Sequence, residues 1–251
     1  MMYKALRVLL LTLLLPASLA PAHARVYLVS VGVADYPGTQ NDLTLPARDA
    51  YTIDSIYAKN SNVTSRRLQN RQATRENILS AMRTTYAAAG ENDIVVLFFS
   101  GHGYRGGFVA YDGKMSYTEV RQAMAASRCR NKMIFADACF SGKIRTDRRE
   151  ARNSMQAARK ARVMLFLSSR SDETSIENRR MENGFFTTFL QRGLRGGADA
   201  DRDRVITARE LYDYVHDGVV KLSNGKQHPV MWGRFSDDMP VMKWPKKKKK
   251  H

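Results

Sequence analysis

A chain of 251 residues with 43% hydrophobic and 26% charged residues has room for one sizeable core, which excludes a chain disordered throughout and leaves little space for two full domains. Its formal net charge of +17 raises nucleic acid or an anionic surface as partners. The cations are dispersed, however, apart from residues 143–162 and the five lysines at 246–250, and no aromatic-interleaved basic stripe or nucleic-acid module accompanies them, so no specific nucleic-acid recognition is expected.

The chain opens with Lys4 and Arg7, an almost wholly apolar stretch over 8–15, and the small-x-small triplet Ala22-His23-Ala24. That is the layout of a secretory signal peptide over residues 1–24, and it predicts an exported protein, periplasmic or secreted. No later apolar run reaches the length of a membrane span, so no transmembrane segment is expected once the signal is removed. A folded domain over 25–242 and a basic tail over 243–251 complete the division. Of the two cysteines, Cys129 reads as a small buried side chain near a strand, and Cys139 as a free thiol.

In chain order, residues 25–33 (RVYLVSVGV) predict a buried strand and 47–59 an amphipathic helix. A short strand follows at 65–69. Thr74 is placed to cap a helix running to about Ala88, with Glu76 in its first turn. Residues 93–99 (DIVVLFF), 132–136 (KMIFA) and 163–167 (VMLFL) are strongly apolar strands. Helices are predicted at 117–126, 185–194 and 208–222, and the basic stretch 143–162 reads as a long connection. Strands buried on both faces and separated by helices imply an α/β fold with a mostly parallel central sheet and right-handed crossovers.

In such sheets functional residues gather at the carboxyl ends of strands. Ser100-Gly101-His102-Gly103 follows the apolar run at 93–99, and Asp137-Ala138-Cys139-Phe140-Ser141-Gly142 follows the one at 132–136. If those strands are neighbours, His102 and Cys139 reach the same sheet edge. A thiol nucleophile needs a nearby imidazole, because the thiolate is the reacting species. Gly103 and Cys139 can each offer a backbone N–H to a developing oxyanion.

The SGHG and DACFSG segments resemble the His and Cys motifs of caspase-like peptidases, including metacaspases and paracaspases. Looser similarity extends over LPARDA at 45–50, ATRENI at 73–78, SSRSDETSIEN at 168–178 and HPVMWGRF at 228–235. The resemblance implies a caspase-like three-layer sandwich of helices around the sheet. It also implies a cysteine endopeptidase acting through an acyl-enzyme on Cys139, with His102 protonating the leaving amine. Caspases carry Gln two residues before the cysteine, whereas Asp137 stands here, as an acid does in metacaspases. By that likeness Asp49, Ser100 and Asp137 line the primary specificity pocket, and two carboxylates there would select Arg or Lys. The alternative for Asp49 is a solvent-facing helix acid.

Two further expectations follow. No cofactor is required for such chemistry, but Asp199, Asp201, Asp203 and Glu210 occupy positions 1, 3, 5 and 12 of a calcium-loop pattern, with Arg204 where glycine normally turns the chain. The other outcome there is a solvated acidic turn. The partners expected are protein or peptide substrates with basic residues. The second functional class that remains open is a catalytically silent caspase-like module of the cell envelope that binds peptides or partner proteins.

Overall fold

The computed structural model describes residues 24–59, 62–139, 148–169 and 182–245. The signal segment 1–23, the start of the basic connection at 143–147, most of the SSRSDETSIEN segment and the lysine tail lie outside them. The described strands are β1 (Val26–Gly32), β2 (Val63–Gln69), β3 (Ile94–Tyr104), β4 (Gly107–Ala110), β5 (Gly113–Ser116), β6 (Asn131–Cys139), β7 (Met164–Leu167), β8 (Val205–Thr207), β9 (Val230–Trp232) and β10 (Pro240–Lys243). The helices are α1 (Pro46–Tyr57), α2 (Arg75–Tyr86), α3 (Tyr117–Ala125), α4 (Arg148–Lys160), α5 (Phe185–Arg192) and α6 (Ala208–Leu222).

The main sheet has the order β2-β1-β3-β6-β7-β9. It is parallel from β2 to β7, and β9 adds antiparallel to β7. Alternation along β3 explains why three layers form. Val95, Leu97 and Phe99 pack with Ile78, Met82 and Tyr86 of α2 and Val120 and Met124 of α3. Ile94, Val96 and Phe98 face the other way, onto Ile53 and Ile56 of α1, Phe186 and Leu190 of α5, and Leu211, Val215 and Val219 of α6. A strand stretch buried on both faces must be apolar at every position, and β3 is so from Ile94 to Phe99. No described helix is long and apolar enough to cross a membrane.

Helix starts follow local chemistry. Thr74 accepts the N–H of Asn77 at 3.3 Å, as predicted. Ser116 with Glu119, and Thr207 with Glu210, form reciprocal capping boxes at α3 and α6. Cys129 is buried and free, its Sγ–H donating to the Asp93 carbonyl at 2.8 Å.

Two expectations need correction, and one hairpin was not foreseen. SGHG and the Asp137–Cys139 end do not follow their strands but are part of them, because β3 and β6 keep their pairing beyond the apolar run. From Gly103 on, β3 pairs with β4, and a β4–β5 hairpin extends the sheet through the short Tyr111-Asp112 turn. That hairpin escaped prediction because its strands have four residues each. Most of the basic stretch 143–162 is not a loop but α4. Between 148 and 160 the sequence has neither Gly nor Pro and is rich in good helix formers. Ser154, buried, anchors the helix by donating to the Gly106 carbonyl at 2.8 Å.

Candidate active site

The pairing of β3 with β6 runs in register from Ile94↔Asn131 through Ser100↔Asp137 to His102↔Cys139. Adjacent parallel strands lie about 4.8 Å apart, so the backbones carrying the histidine and the cysteine are direct neighbours at the carboxyl end of the sheet. His102 is half-buried, and its Nε2 lies 2.7 Å from the carbonyl oxygen of Asn41. A carbonyl can only accept, so Nε2 carries a proton, and in the neutral ring the lone pair is on Nδ1. The backbone N–H of His102 donates to the Tyr36 hydroxyl at 2.9 Å, which in turn donates to the Val109 carbonyl at 3.1 Å. The Tyr36 and His102 rings lie 4.9 Å apart, centre to centre. Gly101 is required beside them, since a Cβ there would stand 2.7 Å from the Tyr36 hydroxyl.

The three residues assigned to the specificity pocket converge. Asp49 sits in the first turn of α1, Ser100 on β3 and Asp137 on β6, at 1%, 2% and 8% exposure. The Ser100 hydroxyl donates to Asp49 Oδ2 at 2.8 Å. Asp49 Oδ1 accepts from Asn183 Nδ2 at 2.7 Å and from the Gly184 N–H at 3.3 Å. Asp137 Oδ2 accepts from the Thr187 hydroxyl at 2.8 Å and its N–H at 3.1 Å. Asp49 is thus not a solvent-facing acid.

Gly184 caps α5 and Thr187 is the helix's third residue, so both carboxylates meet the positive end of α5. A side chain at position 184 would run into the Asp137 carboxylate, which explains the glycine. Even so, burial pushes the Asp49 carboxyl up, to about 8. The nearby Asp137 charge adds to that, while the hydrogen bonds from Asn183, Ser100 and Gly184 oppose it. Two buried acids side by side resist ionising together and favour a cation entering between them.

Gly103 stands where β3 leaves β6 for β4, paired with Phe108. The carboxylates of Asp199, Asp201 and Asp203 come within 4.8 Å of one another. Glu210 is engaged elsewhere: Oε2 accepts from the Thr207 N–H and hydroxyl at 2.9 and 2.8 Å, and Oε1 from the Ala200 N–H at 3.0 Å. Arg204 adopts the left-handed conformation (φ 75°) that glycine would supply, and its guanidinium points away to the Pro245 carbonyl at 2.6 Å.

Sequence reasoning missed Tyr36, Asn41, Asn183 and Thr187. The first two lie in an aperiodic stretch between the first strand and first helix, where nothing signals a role. Asn183-Gly184 ahead of the apolar FFTTFL run could have been read as a helix start facing the acids.

Residues 25–239 match the caspase domain family. The chain belongs to that family. That family is one of cysteine peptidases, and solved structures agree on the fold. Protein GSU0716 from Geobacter sulfurreducens aligns with a TM-score of 0.64 at 17% identity, over 87% of this chain and 97% of its own. Caspase-1 from Spodoptera frugiperda aligns at 0.57 and 16% identity, over 84% and 86%. The structure titled pro-sf-caspase-1 aligns at 0.59 and 16%, over 88% and 93%. No curated protein matches the sequence. In this caspase domain, the carboxyl ends of β3 and β6 form the candidate active site.

Proposed function

We propose that this caspase domain is an exported cysteine endopeptidase that cuts after Arg or Lys, with Cys139 as nucleophile and His102 as its base and acid. The observation that carries the proposal is the register of His102 opposite Cys139, with Nε2 held by the Asn41 carbonyl. Nδ1 is then the nitrogen free to exchange a proton with the reaction. The Cys139 thiolate attacks the substrate carbonyl carbon, and the backbone N–H groups of Gly103 and Cys139 are suited to the oxyanion. Collapse of the intermediate breaks the C–N bond, the amine leaves with the proton held by His102, and water then hydrolyses the thioester.

Support for basic specificity comes from Asp49 and Asp137, buried together beside Ser100. A guanidinium or ammonium reaching them would replace donors now supplied by the chain itself and leave both carboxylates ionised. Export rests on the signal-like residues 1–24. The test is hydrolysis of fluorogenic peptide amides ending in Arg, Lys, Asp or Leu, together with labelling by an arginyl thiol-directed electrophile. Turnover of the Arg and Lys amides, lost in Cys139→Ala, is the expected result. Turnover of the Asp amide instead would end the acidic-pocket assignment, and neither labelling nor turnover would leave the silent binding module.

A further inference from the structure

β2 is the outermost strand of the main sheet, with β1 on one side and no strand on the other among the described residues. Its backbone therefore offers an open row of donors and acceptors. Side chains alternate along it. Leu68 faces the α2 layer, so Arg66 shares that face, whereas Arg67 points to the opposite layer and pairs with Asp54 of α1 at 2.8 Å.

On the α2 side a groove of about 780 Å³ runs along this edge. Arg66 and Leu68 of β2, with Arg71 just beyond its end, form one wall; Asn77, Ser80 and Thr84, on one face of α2, form the other. No acidic side chain lines it, and neither Arg66 nor Arg71 makes an ion pair among the described residues. On the other side of the same edge Tyr51 of α1 is 56% exposed, one of two exposed large hydrophobic residues among those described, with the Arg67 guanidinium 4.9 Å from its ring centre.

A polypeptide strand added to β2 would lie in the notch between that strand and α2. Its side chains would point alternately into the groove, toward Arg66 and Arg71, and to the opposite face, toward Tyr51. The first set meets unneutralised guanidinium groups and hydroxyls, and the second meets the exposed Tyr51 ring, whose nearby Arg67 guanidinium is already paired with Asp54. Natural proteins usually cover or blunt such an edge, since it recruits strands. We propose that β2 and its groove dock an extended segment of a protein partner in which acidic and apolar residues alternate. Backbone pairing supplies the length of the contact, and the two free arginines select the sign of the charge.

The experiment uses fluorescence anisotropy with a labelled octapeptide alternating Glu and Val, on the full Cys139→Ala chain so that nothing is cleaved. Saturable binding is expected. It should weaken at least about tenfold in Arg66→Glu/Arg71→Glu and by an intermediate factor in Arg66→Gln/Arg71→Gln. Lys221→Glu/Lys226→Glu, at the end of α6 and in the turn after it, makes the same change in net charge and should leave it intact. A peptide with proline at two central positions, unable to donate to the edge, should bind much more weakly. The proposal is overturned by absence of binding, by an equal loss in the lysine control, or by undiminished binding of the proline peptide. It is also overturned if a sulfated oligosaccharide occupies the groove and the peptide cannot compete, because the partner would then be a polyanionic sugar.

Discussion

Replacing Cys139 with alanine removes the sulfur and almost no volume, so activity should disappear while the melting temperature stays close to wild type. His102→Ala should lower kcat/KM by about 10²–10⁴-fold, the usual loss for an essential acid-base group. Wild-type turnover in either variant would remove the dyad. Asp137→Asn keeps an oxygen for the Thr187 N–H but removes one of the two carboxylates that a bound cation would meet. It should reduce kcat/KM on arginyl amides by about 2–5 kcal/mol in transition-state terms and spare cleavage after neutral residues; an even loss on both substrates would reduce Asp137 to a cap for α5. Asp49 carries a pH signature. Its carboxyl holds a proton in the fold up to about 8, whereas the unfolded chain releases it near 4, as an ordinary aspartate does at about 3.9. The native state binds the extra proton between those values, so its stability falls as pH rises from about 4 to 8 and levels off above. Asp49→Asn should show a flatter melting-temperature profile from pH 5 to 8.5, and the KM of wild type for arginyl amides should fall over the same range, because binding a guanidinium expels that proton. Parallel profiles in wild type and variant would count against both statements.

At the scale of single elements, α4 tests how far its buried Ser154 anchors a basic helix. Ser154→Ala deletes the bond to the Gly106 carbonyl and should cost about 1 kcal/mol, read as an equal loss in urea unfolding. With α4 formed, self-cleavage in the basic segment should map to Lys143 or Arg145 rather than to sites within Arg148–Lys160, since a helical backbone does not fit an extended substrate cleft. Mass spectrometry of purified wild type against Cys139→Ala reads the position and shows whether the cut is its own. What the sequence made legible follows the same physics. The runs at 25–33, 93–99 and 132–136 announce themselves because strands buried on both faces admit only apolar residues. The helix of Ala208–Leu222 announces itself by its capping box and 3.6-residue period. The His102–Cys139 pairing was legible because each residue closes such a run. The β4–β5 hairpin and β8–β10 pair were not, since strands of three or four residues carry too little periodicity. Tyr36 and Asn41 reach His102 only through tertiary contact, which no local pattern encodes.

Across the whole molecule, the sheet separates two apolar clusters, and adjacent residues of β3 belong to different ones: Phe98 to the α1–α5–α6 side and Phe99 to the α2–α3 side. Both are fully buried, so Phe98→Ala and Phe99→Ala should each destabilise by about 3–5 kcal/mol. If the layers share one cooperative unit, each variant should unfold in a single transition by both near-UV and far-UV circular dichroism. Two separated transitions would mean that the layers melt independently. The pairing of β6 with β7, from Met133↔Met164 to Ala136↔Leu167, has a consequence for how the molecule can be made. All of the chain before residue 140 enters the sheet through β1–β6, and all of it after 163 through β7 and β9, so the two portions meet along an ordinary strand seam. Asp49 and Asp137 on one side of that seam hold Asn183, Gly184 and Thr187 on the other. Two separately translated polypeptides, divided within residues 143–147, should therefore find each other and restore the hydrogen bonds that hold the acid pair. Such a split pair would make the proposed activity conditional, present only where both halves are delivered.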